Sequence, residues 1–372
     1  MVKIAILGTR GIPANYGGFE TFAEELSGRL VEKGFFVTVY GRSGYIDKKY
    51  DNGYYKGVHI RVLPSIKSKY FDTISHTFLS ILNVAAKKYD IILICNAANS
   101  IFSLIPRIFS KKVVVNVDGV ERRRKKWNIL GRLWYLFGEI FSCLFPNAIV
   151  TDARVIQDYY LRRYRKKSCF IPYGANISKT DNVGLLKKYN LDKNDFFLYV
   201  SRLEPENNAH IVIKAFEKVK TDKKLVIVGD APYSGDYIKK LKETKDKRII
   251  FTGFIYGEGY KELQGNTYCY IHATEVGGTH PALIEAMGYG NCTIINSTPE
   301  NLEVIKDCGI IYEKNNVGDL KRKINYAIGN PYIVEKYGMK AMKRIKRYYS
   351  WEYVTGEYEK LFSNLIAGKK IK

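Results

Sequence analysis

Apolar residues along this chain fall into short runs of strand length, separated by longer stretches with helical spacing. The run Lys3 to Gly8 reads as a buried strand, and Phe22, Leu26 and Leu30, joined by Ala23 and Val31, share one face of a helix that ends at Gly34. A strand follows at Phe36 to Tyr40. Further strands read at Val58 to Leu63, Ile91 to Cys95, Val113 to Asn116 and Ala148 to Thr151, alternating with helical segments over Ser75 to Lys88 and Leu130 to Leu144. The pattern breaks around Cys169 to Ala175 and stays polar to Asp195. It then resumes with strand Phe196 to Val200, helix Ala209 to Lys220, strand Leu225 to Val228, helix Tyr237 to Lys245 and strands Ile249 to Thr252 and Tyr268 to His272. Such alternation predicts an α/β protein with two Rossmann-like, doubly wound domains facing a cleft. Ligands of such folds sit at the carboxyl ends of the strands.

Glycine punctuates two of those ends. Gly277, Gly278 and Thr279 follow an apolar run and lead through His280 into a helix with Pro281 in its first turn, where a missing N–H costs nothing. A glycine-rich turn entering a helix exposes backbone N–H groups and the positive end of the dipole, a site suited to a diphosphate. Glu285 then lies within reach for ribose hydroxyls. The plainer alternative is a strand-turn-helix corner with a solvated glutamate. The other loop, Thr9 to Gly18, carries Gly11, Pro13, Gly17 and Gly18. Its glycines do not fall as G-x-G-x-x-G, which argues against a nicotinamide or flavin site.

At 372 residues, 46% hydrophobic and 26% charged, the chain has length for two domains. No apolar run approaches the ~20 residues that span a bilayer. A strand beginning at Lys3 leaves no room for a signal peptide, so a cytoplasmic location is expected. The six cysteines show no C-x-x-C spacing and read as small core residues. A net charge of +23 changes the picture most, because it calls for an anionic partner: nucleic acid, phosphorylated substrate or acidic membrane surface.

No Asp-x-Asp occurs anywhere in the chain, so there is no obvious carboxylate pair for a divalent cation on a nucleotide diphosphate, and no metal is expected. The charge of a departing diphosphate must then fall to Arg202, to the N–H groups at Gly277 to Thr279 and to those near Gly17 and Gly18. Arg202 has a competing reading as an ion pair with Glu204 or Glu206. His280 either bonds a donor or caps its helix. Asp118 can orient or deprotonate an acceptor hydroxyl, or simply form an Asp-Gly turn with Gly119. The run Arg122, Arg123, Arg124, Lys125 and Lys126 precedes Trp127 and an aromatic stretch, Leu130 to Phe145, as at an interfacial membrane contact. Nucleic acid is the alternative for that run, without any accompanying recognition motif.

Arg202, Leu203, Pro205 and Glu206 before a helix, with the Gly278 to Met287 segment, resemble the C-terminal half of glycosyltransferase family 4, retaining GT-B enzymes that use nucleotide diphosphate sugars. Ser350, Trp351, Glu352 and Val354 resemble that family's closing element, which crosses back onto the first domain. The stretch Gly8 to Thr21, with Asp118, Gly119, Glu121, Lys126 and Trp127, is similar to a bacterial rhamnosyltransferase branch acting on lipid-linked polysaccharide precursors. The resemblance implies an acceptor domain at 1–172, a nucleotide-sugar domain at 173–349 and a crossing helix at 350–372. It implies donor contacts from Gly17, Gly18, Arg202, Asn207, Glu275, Gly277, Gly278, Thr279, His280 and Glu285, with catalysis resting on Asp118, Arg202 and Glu285. The acceptor and membrane side falls to Tyr16, Asp118, Glu121, the Arg122 to Lys126 run and Trp127. Two departures stand out. Gly277 occupies the place of the family's first glutamate, with Glu275 displaced by two positions, which fits a 6-deoxy donor. Asn207 stands where the family has lysine.

The expected reaction is retaining transfer of L-rhamnose from dTDP-β-L-rhamnose, in β-1,4 linkage, to a polyprenyl-diphosphate-linked sugar in capsule or cell-wall synthesis. It would proceed without cofactor at the inner face of the plasma membrane. A UDP-hexose transferase and a basic nucleic-acid-binding protein remain as alternatives.

Overall fold

Strands that read as unbroken apolar runs, such as Ile91–Cys95, are buried along their whole length, as a parallel sheet covered on both faces requires. The computed structural model describes residues 1–14, 17–68, 71–124, 127–180, 182–231 and 234–369. It divides into two units, Met1–Gly174 with Trp351–Lys372, and Ala175–Ser350.

The first unit is built on eight strands: β1 (Lys3–Leu7), β2 (Phe36–Arg42), β3 (Tyr54–Tyr55), β4 (Val58–Leu63), β5 (Ile91–Cys95), β6 (Lys112–Asn116), β7 (Ala148–Thr151) and β8 (Cys169–Phe170). Their order is β3-β4-β2-β1-β5-β6-β7-β8, parallel except for the β3–β4 edge hairpin. The chain reverses its direction of winding between β1 and β5, which pair in parallel from Ile4↔Ile91 to Leu7↔Ile94. Five helices accompany these strands: α1 (Gly18–Glu32), α2 (Phe71–Ala85), α3 (Leu104–Ile108), α4 (Ile129–Leu144) and α5 (Arg154–Tyr164). Helix α2 begins before the expected Ser75 because the Ser68 hydroxyl accepts the Phe71 N–H at 3.0 Å.

The second unit holds β9 (Phe196–Val200), β10 (Lys224–Val228), β11 (Ile249–Gly253), β12 (Cys269–His272), β13 (Thr293–Asn296) and β14 (Ile310–Tyr312). All pair in parallel in the order β11-β10-β9-β12-β13-β14, so its switch point lies between β9 and β12.

The C-terminal helix Trp351–Ile366 belongs to the first unit. Its Tyr358 packs at a tilt on Phe22 of α1, ring centroids 5.5 Å apart, and accepts from Asn116 Nδ2 at 3.0 Å. Gly174 leaves room for the Trp351 indole, since a Cβ there would stand 2.4 Å from the ring.

Two buried charged clusters of the first unit are paired. Arg42 meets Asp72 of α2 at 2.7 Å, and Glu139 of α4 accepts from Arg122 at 2.9 Å and from the Tyr159 and Tyr164 hydroxyls at 2.7 Å each. Removing one member of such a group strands the others without water.

His76 of α2 is fully buried and donates its Nε2–H to the Gly41 carbonyl at 2.9 Å, and burial pushes its pKa down to about 4. The unfolded imidazole takes its proton near 6.5. Stability from keeping His76 neutral is therefore complete above that pH and is lost as pH falls toward about 4, at up to ~1.4 kcal/mol per pH unit. All three tryptophans, Trp127, Trp134 and Trp351, lie in this unit and report its unfolding by fluorescence. Urea midpoints of the wild type should fall across that interval, and those of His76→Gln should fall less steeply. Parallel acid slopes would contradict the buried neutral imidazole.

Candidate functional site

In the second unit the loops leaving β9 and β12, on either side of the switch point, are joined by their backbones: the Glu275 N–H donates to the Glu206 carbonyl at 3.1 Å. The first of these loops carries Arg202. Its guanidinium lies 3.9 Å from the Glu204 carboxylate and is 33% exposed, so that pair is weak and leaves the cation presented to solvent. Asn207 turns inward. Its Nδ2 donates to the Arg202 carbonyl at 2.6 Å and its own carbonyl accepts from the buried Tyr199 hydroxyl at 2.6 Å. An amide here, in place of a cation, shapes the loop under Arg202.

Three further asparagines bind the strand ends together. Asn208 and Asn296 each donate to the Ala273 carbonyl at 3.0 Å, and to Asn315 Oδ1 at 3.0 and 2.9 Å. Asn315 in turn donates through Nδ2 to Glu275 Oε2 at 2.6 Å, fixing the displaced glutamate from behind. Asn208 and Asn315 sit in the left-handed region, at φ of 61° and 57°, which asparagine tolerates better than most residues.

The glycine turn follows. Gly277 has φ of 156°, and a Cβ there would lie 2.5 Å from the His280 ring, which fills the space above it. Any side chain at that position must displace the ring and accept a backbone conformation that favours glycine. Gly278 and Thr279 are buried, and His280 caps the helix Pro281–Gly288 through backbone geometry, with no side-chain cap bond. His272, at the end of β12, packs on His280 with ring centroids 4.8 Å apart, and burial pushes its pKa down to about 3, so it stays neutral.

Glu285, on the second turn of that helix, accepts from the Tyr260 hydroxyl at 2.6 Å. Gln264 Nε2 donates to the same hydroxyl at 2.9 Å, and Asn291 Nδ2 donates to Gln264 Oε1 at 3.2 Å. One carboxylate oxygen is thus anchored through a chain of neutral groups. Burial, before the nearby Glu285 charge, raises the Tyr260 phenol well above its usual range and keeps it a donor. Tyr260 and Asn315 were invisible in the sequence, since they lie 25 and 40 residues from the carboxylates they hold.

In the first unit the glycine loop is strapped over the start of α1. Arg10 N–H donates to Glu20 Oε1 at 2.9 Å and Ala14 N–H to Glu24 Oε2 at 2.7 Å. The Gly17 carbonyl accepts the Glu20 and Thr21 N–H groups at 3.1 and 3.2 Å as Gly18 opens the helix. Asp118 sits nearby, at φ of 56°, and its Oδ1 accepts from the Tyr173 hydroxyl at 3.4 Å. The Tyr173 ring packs edge-on against Phe19 and Phe22 of α1, linking Asp118 to the glycine-loop helix.

The basic run is not the uniform patch expected. Arg124 is 6% exposed and donates to the buried Glu121 at 2.5 Å, so this pair belongs to the interior. Arg122 is held by Glu139 and Tyr159, whereas Arg123 is exposed. Trp127 packs on Tyr135 at 5.1 Å. Tyr16, Lys125 and Lys126 lie outside the described residues.

Residues 185–348 match the family described as glycosyl transferases group 1, and residues 1–176 match a domain of unknown function, DUF1972. The first of these matches falls within the second unit. The Arg202 loop, the glycine turn and Glu285 all lie within it. Over its full length the chain superposes on sucrose-phosphate synthase from Thermosynechococcus elongatus, with TM-score 0.82 and 16% identity, covering 99% of this chain and 100% of that one. It superposes likewise on Anabaena HepE in complex with UDP-glucose, with TM-score 0.80 and 16% identity, covering 98% and 100%. At such identities the likeness is one of fold, and the fold is GT-B.

In sequence the chain is 25% identical over 221 residues to N-acetylgalactosamine-N,N'-diacetylbacillosaminyl-diphospho-undecaprenol 4-alpha-N-acetylgalactosaminyltransferase of Campylobacter jejuni, covering 56% of this chain and 59% of that protein. It is 21% identical over 184 residues to O-antigen chain mannosyltransferase B of Escherichia coli, covering 48% of each. The chain thus spans about half the length of these two relatives.

The close approach at Gly277 is directly testable. Gly277→Ala should destabilise the group 1 domain by about 1–2 kcal/mol through strain and contact with the His280 ring. Adding His280→Ala should recover part of that loss in a double-mutant cycle of thermal melts. Additive effects would mean the ring does not occupy that space.

Proposed function

We propose that this protein is a retaining glycosyltransferase that transfers L-rhamnose from dTDP-β-L-rhamnose to a polyprenyl-diphosphate-linked saccharide in bacterial surface-polysaccharide synthesis, at the cytoplasmic face of an anionic membrane. The observation that carries the reading is the Glu275-to-Glu206 backbone bond. It sets the Arg202 loop against the glycine turn at the switch point of a group 1 domain. The names of the Campylobacter and Escherichia relatives, one with a diphospho-undecaprenol acceptor and one with an O-antigen chain, support the acceptor class.

In this reading Arg202 and the N–H groups of the turn receive the diphosphate, Glu285 the ribose and Glu275 the sugar hydroxyls. The bond from the anomeric carbon to the β-phosphate oxygen breaks while the acceptor oxygen bonds to that carbon on the same face. The acceptor's proton passes to the departing phosphate oxygen or to Asp118. Catalysis is then positioning and stabilisation of leaving-group charge by fixed dipoles and a guanidinium.

A UDP-hexose donor is the second reading. It is favoured by Glu285, which can bind both hydroxyls of a ribose but only one of a deoxyribose, and by the UDP-glucose complex of HepE. Release of dTDP against UDP from a donor panel, with lipid diphosphate acceptors, decides between them.

Arg202→Ala and Glu285→Ala should each retain the fold and lose about 2–4 kcal/mol of transition-state stabilisation, roughly thirty- to a thousandfold in kcat/KM. Tyr260→Phe keeps the ring and loses only the hydroxyl, so its cost of about 1 kcal/mol should fall mainly on the donor KM. Wild-type turnover in Arg202→Ala overturns the diphosphate assignment.

The sequence contains no Asp-x-Asp, and turnover should survive EDTA. Loss of activity on chelation, restored by Mg²⁺ or Mn²⁺, would replace this account of the leaving group.

A further inference from the structure

Surface helices of soluble domains turn apolar residues inward and polar ones outward. Helices α2 and α4 do much of the reverse. The buried side of α2 carries Asp72, His76, Thr77 and Ser80 beside Ile81 and Val84, while Phe71, Phe78 and Leu82 are exposed. The buried side of α4 is Gly131, Tyr135, Gly138, Glu139 and Ser142, while Ile129 is 76% exposed and Leu130 75%. The inward ionisable groups are paired: Asp72 with Arg42, His76 through Nε2 with the Gly41 carbonyl, Glu139 with Arg122 and two tyrosines. The inversion is therefore built into the fold.

Helix α3 packs on α2, and its Arg107 Nε donates to the Phe145 carbonyl at the end of α4 at 3.1 Å; its Ile108 is 71% exposed beside an exposed Phe109. Helices α2 and α4 both rest on the 3₁₀ segment Ala97–Ser103 that leads into α3. Phe78 of α2 meets Phe102 at 5.7 Å, and Gly138 of α4 lies so close to Ala97 that a Cβ would stand 2.5 Å from its carbonyl oxygen. One surface thus carries three apolar helix faces, an arrangement that marks an interaction site on a soluble domain.

Charge identifies the partner. The only acids on the three helices, Asp72 and Glu139, are buried and paired. The exposed charges on or next to them are mostly cationic, Lys87, Lys88, Arg107, Arg123 and Arg132, with Asp90 the acid that follows Lys88. A hollow of about 400 Å³ beside α4 sets Arg122, Arg123 and Arg132 against Ile129, Leu133 and Leu136, pairing guanidinium with aliphatic wall as a lipid phosphate and its glycerol-acyl junction require. No helix among the described residues is long and apolar enough to cross a membrane. We propose that α2, α3 and α4 form one face that enters the headgroup and upper acyl region of an anionic bilayer and lies there without spanning it. This deepens the proposed action on a lipid-linked acceptor and rests on it for its purpose, while the contact itself can be measured without turnover.

The full chain should float with vesicles of phosphatidylglycerol and phosphatidylcholine, and should do so poorly with phosphatidylcholine alone. The triple variant Leu82→Gln, Ile108→Gln and Leu130→Gln should retain the wild-type melting temperature and turnover of a short-chain soluble acceptor, yet bind anionic vesicles at least tenfold more weakly. Arg123→Gln with Arg132→Gln should abolish the preference for anionic lipid and flatten the salt dependence. In a separate Leu130→Trp variant, emission at the new tryptophan should be quenched by lipids brominated high on the acyl chain. Unchanged vesicle binding in the apolar triple overturns the proposal. So does a wild-type dimer that the same substitutions make monomeric, since the face would then join two copies. Vesicle binding as described, with no transfer from any nucleotide sugar, would sink the proposed function and leave this inference standing.

Discussion

Much of the second unit hangs on one buried constraint: the ends of β9, β12, β13 and β14 carry backbone groups that water cannot reach and that the sheet no longer pairs. The Ala273 carbonyl takes both Asn208 and Asn296, and Asn315 joins these two to Glu275. Amide side chains suit this task because each carries a donor and an acceptor without net charge, so a buried cluster can satisfy itself without an ion's desolvation cost. With the strand ends held, the Glu275 N–H meets the Glu206 carbonyl and the two loops at the switch point become one surface. The same economy operates behind Glu285, where Tyr260, Gln264 and Asn291 carry the orientation of a carboxylate back into the domain through neutral groups.

The first unit solves a different problem. Its helices α2 and α4 bury ionic and hydroxyl groups against the sheet, in α2 beside Ile81 and Val84, and leave much of their leucine, isoleucine and phenylalanine outside. Holding Asp72 and Glu139 inside draws Arg42 and Arg122 inward with them. That is why a run of cations that looks continuous along the chain separates in space. Arg124 and Glu121 fold into the interior, and Arg123 reaches solvent. The periodicity of α4 gives the spacing of its two sides, but which side is buried depends on Gly138 fitting against Ala97 and on Tyr159 and Tyr164 reaching Glu139 from α5.

Periodicity by itself determined the alternation of strands and helices, the two βα series and hence the α/β class, because strand and helix patterns are set by neighbours within a few residues. Local chemistry likewise marked the glycine turn before Pro281, where backbone freedom and a helix start are properties of the segment alone. Contacts between distant segments could not be read that way. The holding of Glu285 by Tyr260 and of Glu275 by Asn315 depends on which loops the strand order 3-2-1-4-5-6 of the second unit, counted along the chain, brings side by side. The outward face of α2 and α4 was decided in the same way. An amphipathic pattern fixes that a helix has two sides, and only the partners waiting in the folded core, here Arg42, Gly41 and the tyrosines of α5, decide that the polar side is the one buried.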